Sequence, residues 1–115
     1  MGSNKKIDLV ILSGGKGSRI SKYLGSDPKP LYKYNKIPFL QHLLNYFHKY
    51  PFSNTYILAG YKGNKIFKLY NNKVINLVKI KCLVEKSPLG TGGALKSLKN
   101  LIKNDFILVN GDSIL

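Results

Sequence analysis

Ile7-Asp8-Leu9-Val10-Ile11-Leu12-Ser13-Gly14-Gly15-Lys16-Gly17-Ser18-Arg19-Ile20 is the stretch on which the reading of this chain turns. Its first half is apolar at nearly every position, as expected of a strand buried on both faces in the middle of a parallel sheet. Its second half is a glycine turn carrying Lys16 and Arg19. Glycines let a backbone approach a polyanion without Cβ obstruction, their N–H groups act as donors, and the positive end of a following helix adds its dipole. A strand that opens into such a turn makes a cradle for phosphates, with Lys16, Arg19 and Lys29 of Pro28-Lys29-Pro30-Leu31 supplying charge. The spacing matches neither common phosphate motif. A dinucleotide loop needs a third glycine where Ile20 stands, and a P-loop needs four residues between its glycines and then Lys-Ser/Thr. A plain βα turn, with its glycines kept for backbone reasons, is the competing reading of the loop alone.

Outward from this stretch, strand and helix patterns alternate. Prolines disfavour helix in the residue before them, so Gly25–Pro30 reads as an extended loop. Leu31–Tyr34 reads as a short strand closed by a turn at Asn35-Lys36. Pro38 suits a first helical turn, and Phe39, Leu40, Leu43, Leu44 and Phe47 line one helical face, predicting a helix that ends before Pro51. Thr55–Ala59 is a second strand, Asn64–Tyr70 a short helix and Lys79–Val84 a third strand. From Thr91, Ala94, Leu95, Leu98 and Leu101-Ile102 form a helical stripe, and Phe106–Val109 is a fourth core strand. This alternation predicts an α/β fold, a mostly parallel sheet with helices on both faces in three layers, α/β/α.

In such sheets ligands bind outside the carboxyl ends of the strands. Three suspicious segments fall at those ends: Gly14–Arg19 after the first strand, Glu85–Gly93 after the third, and Asp112 after the fourth. Nothing in helix or strand propensity requires that agreement. Asp112 is one of only 5 acidic residues. A carboxylate there suits Mg²⁺, which takes one or two carboxylates together with substrate phosphate oxygens. An Asp-Ser turn bonded to its own backbone is the plain alternative.

Composition bounds the rest. A chain of 115 residues with 43% hydrophobic content builds one core. The single Cys82 lies in an apolar run and is expected to be a buried, reduced thiol. No stretch has the length of a membrane span and the N-terminus shows no signal-peptide core, so the expected compartment is the cytoplasm, without membrane attachment. The formal net charge is +14, yet the lysines are spread evenly rather than clustered. That spread argues against nucleic acid as the partner and for a diffuse field that draws anionic substrates. His42 and His48, six apart on the predicted helix, do not share a face as i, i+4 metal ligands would. Tyr61 and Lys62 follow the second strand at the same edge, with no motif to support them.

Taken together, Gly14-Gly15-Lys16-Gly17-Ser18-Arg19-Ile20, Pro28-Lys29-Pro30-Leu31, Ile37-Pro38-Phe39-Leu40, Glu85-Lys86-Ser87-Pro88-Leu89-Gly90-Thr91-Gly92-Gly93-Ala94 and Asn110-Gly111-Asp112-Ser113 resemble the motifs of the sugar-phosphate nucleotidyltransferases. They occur in the family's order and cover essentially the whole chain. The resemblance implies a Rossmann-like fold and a reaction in which a nucleoside triphosphate and a sugar 1-phosphate give a nucleotide sugar and pyrophosphate. It implies that Gly14, Gly15, Lys16, Gly17 and Ser18 cradle the triphosphate and that Arg19 neutralises the leaving pyrophosphate. Lys29 would bridge the α-phosphate and the attacking phosphate, Gly90 and Thr91 would border the base, and Asp112 would hold Mg²⁺.

The Glu85 motif looks most like that of guanylyltransferases acting on mannose or manno-heptose 1-phosphate, used for bacterial surface polysaccharides, and a carboxylate can accept from the guanine N1–H and N2–H₂ edge. A solvated Glu85, and cytidylyl or uridylyl specificity, remain the alternatives. Ser18 stands where the family has threonine and keeps the hydroxyl. The family continues beyond the equivalent of residue 115, with strands that bind the sugar and a second metal-binding aspartate. Residues 1–115 are therefore expected to be the nucleotide-binding part of such a domain. A nucleotide-binding module without turnover, and self-association through an exposed Phe106–Val109 edge, are the other readings kept open.

Overall fold

A computed structural model of the chain describes residues 6–13, 29–60, 63–84, 96, 98, 99 and 101–111. Strand β1 (Ile7–Ser13) is followed by a 3-10 turn at Lys29–Leu31 and a small antiparallel pair, β2 (Lys33–Tyr34) and β3 (Ile37–Pro38). Helix α1 (Phe39–Phe47), β4 (Asn54–Ala59) and helix α2 (Gly63–Tyr70) come next. The short β5 (Val74–Ile75) then pairs antiparallel with β6 (Val78–Val84), and β7 (Asp105–Asn110) completes the described strands. The main sheet has the order β5-β6-β4-β1-β7, and β6, β4, β1 and β7 are mutually parallel.

Alternation along the strands sorts the core into two layers. Leu9, Ile11, Ile57, Ala59, Ile80 and Cys82 face one side, where Leu31 from the 3-10 turn, Leu40 and Leu44 from the first helix and Ile66 and Tyr70 from the second cover them. Val10 and Leu58 face the other side, covered by Leu98 together with Leu12, Tyr56, Leu83 and Ile102. Each fully buried Leu or Ile stabilises by about 1.5–3 kcal/mol. Lys96 and Leu98 are helical, so helices do flank both faces, as the alternation predicts. Residues 91–95, 97 and 100 of the predicted Thr91–Ile102 helix lie outside the described residues; Lys99 and Leu101 are in a turn, Ile102 is past it, and Leu101, placed on the apolar stripe, is exposed.

Local chemistry explains the boundaries. Asn35 and Lys36 both adopt positive φ, the left-handed pair that a two-residue hairpin loop demands. Leu31, read as the start of a strand, is instead buried as the end of the 3-10 turn. The N–H of Phe39, an orphan donor at the start of α1, is satisfied by the Tyr32 carbonyl at 2.8 Å. At the other end Lys49 and Tyr50 close back on Tyr46 and Phe47 in tight i to i−3 turns, so the helix stops before Pro51.

Strand β7 departs from the core-strand reading and, among the described residues, takes the edge position kept open for Phe106–Val109: Phe106, Ile107 and Leu108 are 42%, 47% and 40% exposed while Leu9, Val10 and Ile11 of β1 are at 0%. Its uninterrupted apolar sequence reads as a core strand, but a strand paired on one side only lacks the neighbour that would cover it.

Candidate active site

The parallel pairing brings the carboxyl ends of β1, β4, β6 and β7 to one edge of the sheet. Chain order runs outward from β1 through β4 to β6, then reverses to place β7 on the other side of β1. The crevice at such a reversal is where open α/β sheets bind ligands. Here it falls between the strand that leads into Gly14 and the strand that leads into Asp112.

Two contacts hold the end of β1. The Ser13 hydroxyl donates to the Leu58 carbonyl of β4 at 3.0 Å. On the opposite side the Gly111 N–H donates to the Leu12 carbonyl at 2.7 Å. Gly111 is pressed so closely onto β1 that a Cβ there would lie 2.6 Å from Ile11 Cγ2 and 3.2 Å from the Leu12 carbonyl oxygen. A second close approach starts α2: a Cβ on Gly63 would lie 2.9 Å from Ala59 Cβ and 3.1 Å from Val84 Cγ1. That packing brings the start of α2 against the ends of β4 and β6, immediately before Glu85.

Of the residues assigned from sequence, Lys29 opens the 3-10 turn, whose Leu31 is buried in the same layer as Ile11 and Ala59. Gly14, Gly15, Lys16, Gly17, Ser18, Arg19, Glu85, Gly90, Thr91 and Asp112 lie outside the described residues, as do Tyr61 and Lys62. The described strand ends carry the chain into each of these segments from the one edge. Among the described residues no group of three or more His, Cys, Asp or Glu side chains is placed to hold a metal.

Other polar groups have structural duties. His48 is buried; its Nδ1 lies 2.9 Å from the Ile75 carbonyl and its Nε2 2.7 Å from Thr55 Oγ1. A carbonyl can only accept, so Nδ1 carries the proton and Nε2 accepts from the Thr55 hydroxyl. Burial holds the His48 pKa below its ordinary value, partly offset by the Ile75 carbonyl. His42 Nε2 lies 2.6 Å from the Tyr34 carbonyl. Cys82 is buried, and desolvation pushes its thiol up to about 12, which leaves it protonated and inert. The Asp8 carboxylate, hidden within an apparently apolar strand, is buried and accepts from Asn54 and Asn104 at 3.3 and 3.4 Å. It belongs to the amino end of β1, away from the ligand edge. The Tyr32 hydroxyl is buried without a hydrogen-bond partner, a feature that the alternation of Tyr32 and Tyr34 in the sequence does not reveal.

The sheet order and the parallel strand ends define a Rossmann-like α/β fold. Residues 9–114 match the model of the MobA-like NTP transferase domain, and the chain belongs to that family. It is 35% identical over 104 residues to the D-glycero-alpha-D-manno-heptose 1-phosphate guanylyltransferase of Campylobacter jejuni, covering 90% of this chain and 47% of that enzyme. It is also 33% identical over 108 residues to the bifunctional protein GlmU of Methanococcus maripaludis, covering 94% of this chain and 25% of GlmU. The crystal structure of HddC from Yersinia pseudotuberculosis superposes with a TM-score of 0.77 at 35% identity, over 91% of this chain and 47% of HddC. HddC has also been solved complexed with GMP-PN. The chain thus spans about half the length of the Campylobacter enzyme and of HddC, and a quarter of GlmU. Among the described residues no helix is long and apolar enough to cross a membrane.

Proposed function

We propose that this chain forms the nucleotide-binding part of a sugar-1-phosphate nucleotidyltransferase that uses GTP and a sugar 1-phosphate, releasing pyrophosphate and a GDP-sugar for surface polysaccharide synthesis. The observation that carries the reading is the adjacency of the β1 and β7 ends at the reversal of strand order, tied by the Gly111 N–H to the Leu12 carbonyl. It starts the glycine loop and the segment of Asp112 from touching strands in a chain of this family.

In the reaction a phosphate oxygen of the sugar 1-phosphate attacks the α-phosphorus, and the bond to the β,γ-pyrophosphate breaks in line. No covalent protein intermediate is required, so the task of the protein is positioning and charge neutralisation. In this reading Gly14, Gly15, Lys16, Gly17 and Ser18 bind the triphosphate through backbone N–H groups. Arg19 balances the charge that accumulates on the leaving pyrophosphate. Lys29, at the start of a turn anchored by Leu31, holds the two reacting phosphates together. Glu85 accepts from the guanine edge, while Gly90 and Thr91 border the base. Guanine also agrees with the activities named for the Campylobacter enzyme and the ligand of HddC.

The residues fit a hard divalent cation: one carboxylate, Asp112, follows a backbone held against β1 where a Cβ would not fit, and phosphate oxygens of the substrate complete such a donor set. Bound Mg²⁺ would neutralise phosphate charge and orient the triphosphate.

Calorimetric titration of GTP, CTP, UTP and ATP with Mg²⁺ tests the reading. Selective binding of GTP is expected, weakened about tenfold or more by Asp112→Ala and by Arg19→Ala, since each removes a charged partner of a phosphate. Preference for CTP or UTP would move the base assignment within the family. Equal binding of all four that fades steeply with salt would mark a merely basic surface and overturn the site.

A further inference from the structure

We propose that Gly111 is a positioning residue, which by lacking a side chain holds the end of β7, from which the chain continues to Asp112, against the end of β1, from which it continues to the glycine loop. The inference rests on the nucleotidyltransferase reading above and assigns a part of that site to a residue with no chemistry of its own.

Gly111 is buried, and the demand on it is spatial. Gly111 does not itself take the left-handed backbone; the non-glycine residues with positive φ among the described residues are Asn35, Lys36, Asn72, Asn76 and Leu77. At Gly111 the obstacle to a side chain is contact. A Cβ would meet Ile11 Cγ2 at 2.6 Å, Leu12 O at 3.2 Å and Ser13 Cβ at 3.5 Å, three consecutive residues at the end of β1. The same approach makes the 2.7 Å hydrogen bond to the Leu12 carbonyl, one step beyond the Leu12–Asn110 register pair that closes the β1–β7 ladder. Ile11 is a fully buried core residue and cannot swing away at no cost.

The end of β1 is therefore gripped from both sides, by Gly111 from β7 and through Ser13 by the Leu58 carbonyl of β4. Ser13 and Gly111 are the last described residues before the glycine loop and before Asp112. A Cβ at 111 would push the end of β7 off the end of β1. The substitution alters none of the side chains assigned to the ligand.

Gly111→Ala tests this in the whole chain. GTP affinity is measured with and without Mg²⁺ by calorimetry, beside the parent and Asp112→Ala. The ratio of the two affinities is expected to fall about tenfold or more in Gly111→Ala, in line with the steep cost of small misplacements. Affinity without Mg²⁺ should change far less. The double variant Gly111→Ala with Ile11→Ala removes the atom at 2.6 Å and should recover much of the Mg²⁺ response although it melts lower, an opposite movement that a purely structural role would not produce.

Amide hydrogen exchange on the unmodified chain requires no variant: the Gly111 N–H should exchange slowly without ligand, as a preformed tether must. Full Mg²⁺ response in Gly111→Ala, or an unprotected Gly111 amide, would overturn the proposal while the nucleotide site stood. Loss of Mg²⁺-dependent GTP binding by the parent itself would instead remove the site and the proposal with it.

Discussion

At the scale of single residues, His48 shows how a group unremarkable in sequence becomes structural. One ring joins α1 to β4 and β5, donating to the Ile75 carbonyl and accepting from Thr55. The bond that Nε2 accepts from Thr55 needs the neutral imidazole, and burial lowers the folded pKa below the ordinary 6.5, against the opposing pull of the Ile75 carbonyl. The sign follows from linkage. Above 6.5 the ring is neutral in both states and stability is whole; below it the unfolded chain takes up a proton that the folded chain resists, so stability falls as pH drops toward the lower folded value. The melting temperature is expected to decline from pH 7.5 to 5, with a flatter profile in His48→Gln, measured by circular dichroism. The sequence excludes His42 and His48 as an i, i+4 metal pair. It holds no sign of the Ile75 and Thr55 partners, which come from distant segments.

At the scale of elements, most strands and helices are legible because hydrophobic period and strand-end glycines coincide. The β1 span matches the apolar run of the sequence, and α2 needs only Gly63 added to the predicted Asn64–Tyr70. The β5–β6 hairpin is not legible: its turn, Asn76-Leu77, takes positive φ of 51° and 69° without the Asn-Gly signature such turns prefer. Leu77 is 95% exposed and packs against little that would repay a left-handed backbone, which costs a non-glycine residue about 1–2 kcal/mol. Leu77→Gly is expected to stabilise the chain by roughly 1 kcal/mol after the greater unfolded-state entropy of glycine is subtracted, read from urea unfolding midpoints.

At the scale of the whole molecule, β7 is an edge strand of the sheet among the described residues. It carries no Lys or Pro in a chain otherwise rich in lysine, and its apolar residues are partly open to solvent. Such an edge is a template for pairing with other chains. Ile107→Lys is expected to reduce concentration-dependent light scattering with little loss of melting temperature, since Ile107 is 47% exposed. The sequence by itself determined the α/β class, the order of the elements and the loops that follow the strands, because these depend on local periodicity and on glycine and proline chemistry. Only the tertiary structure decided that β7 pairs with β1 and that Gly111 lies against Ile11 and Leu12. It also decided that Asp8 is hidden at the end of β1 away from the ligand edge. Those facts depend on which distant strands become neighbours, and pairing between residues about a hundred positions apart leaves no periodic trace along the chain.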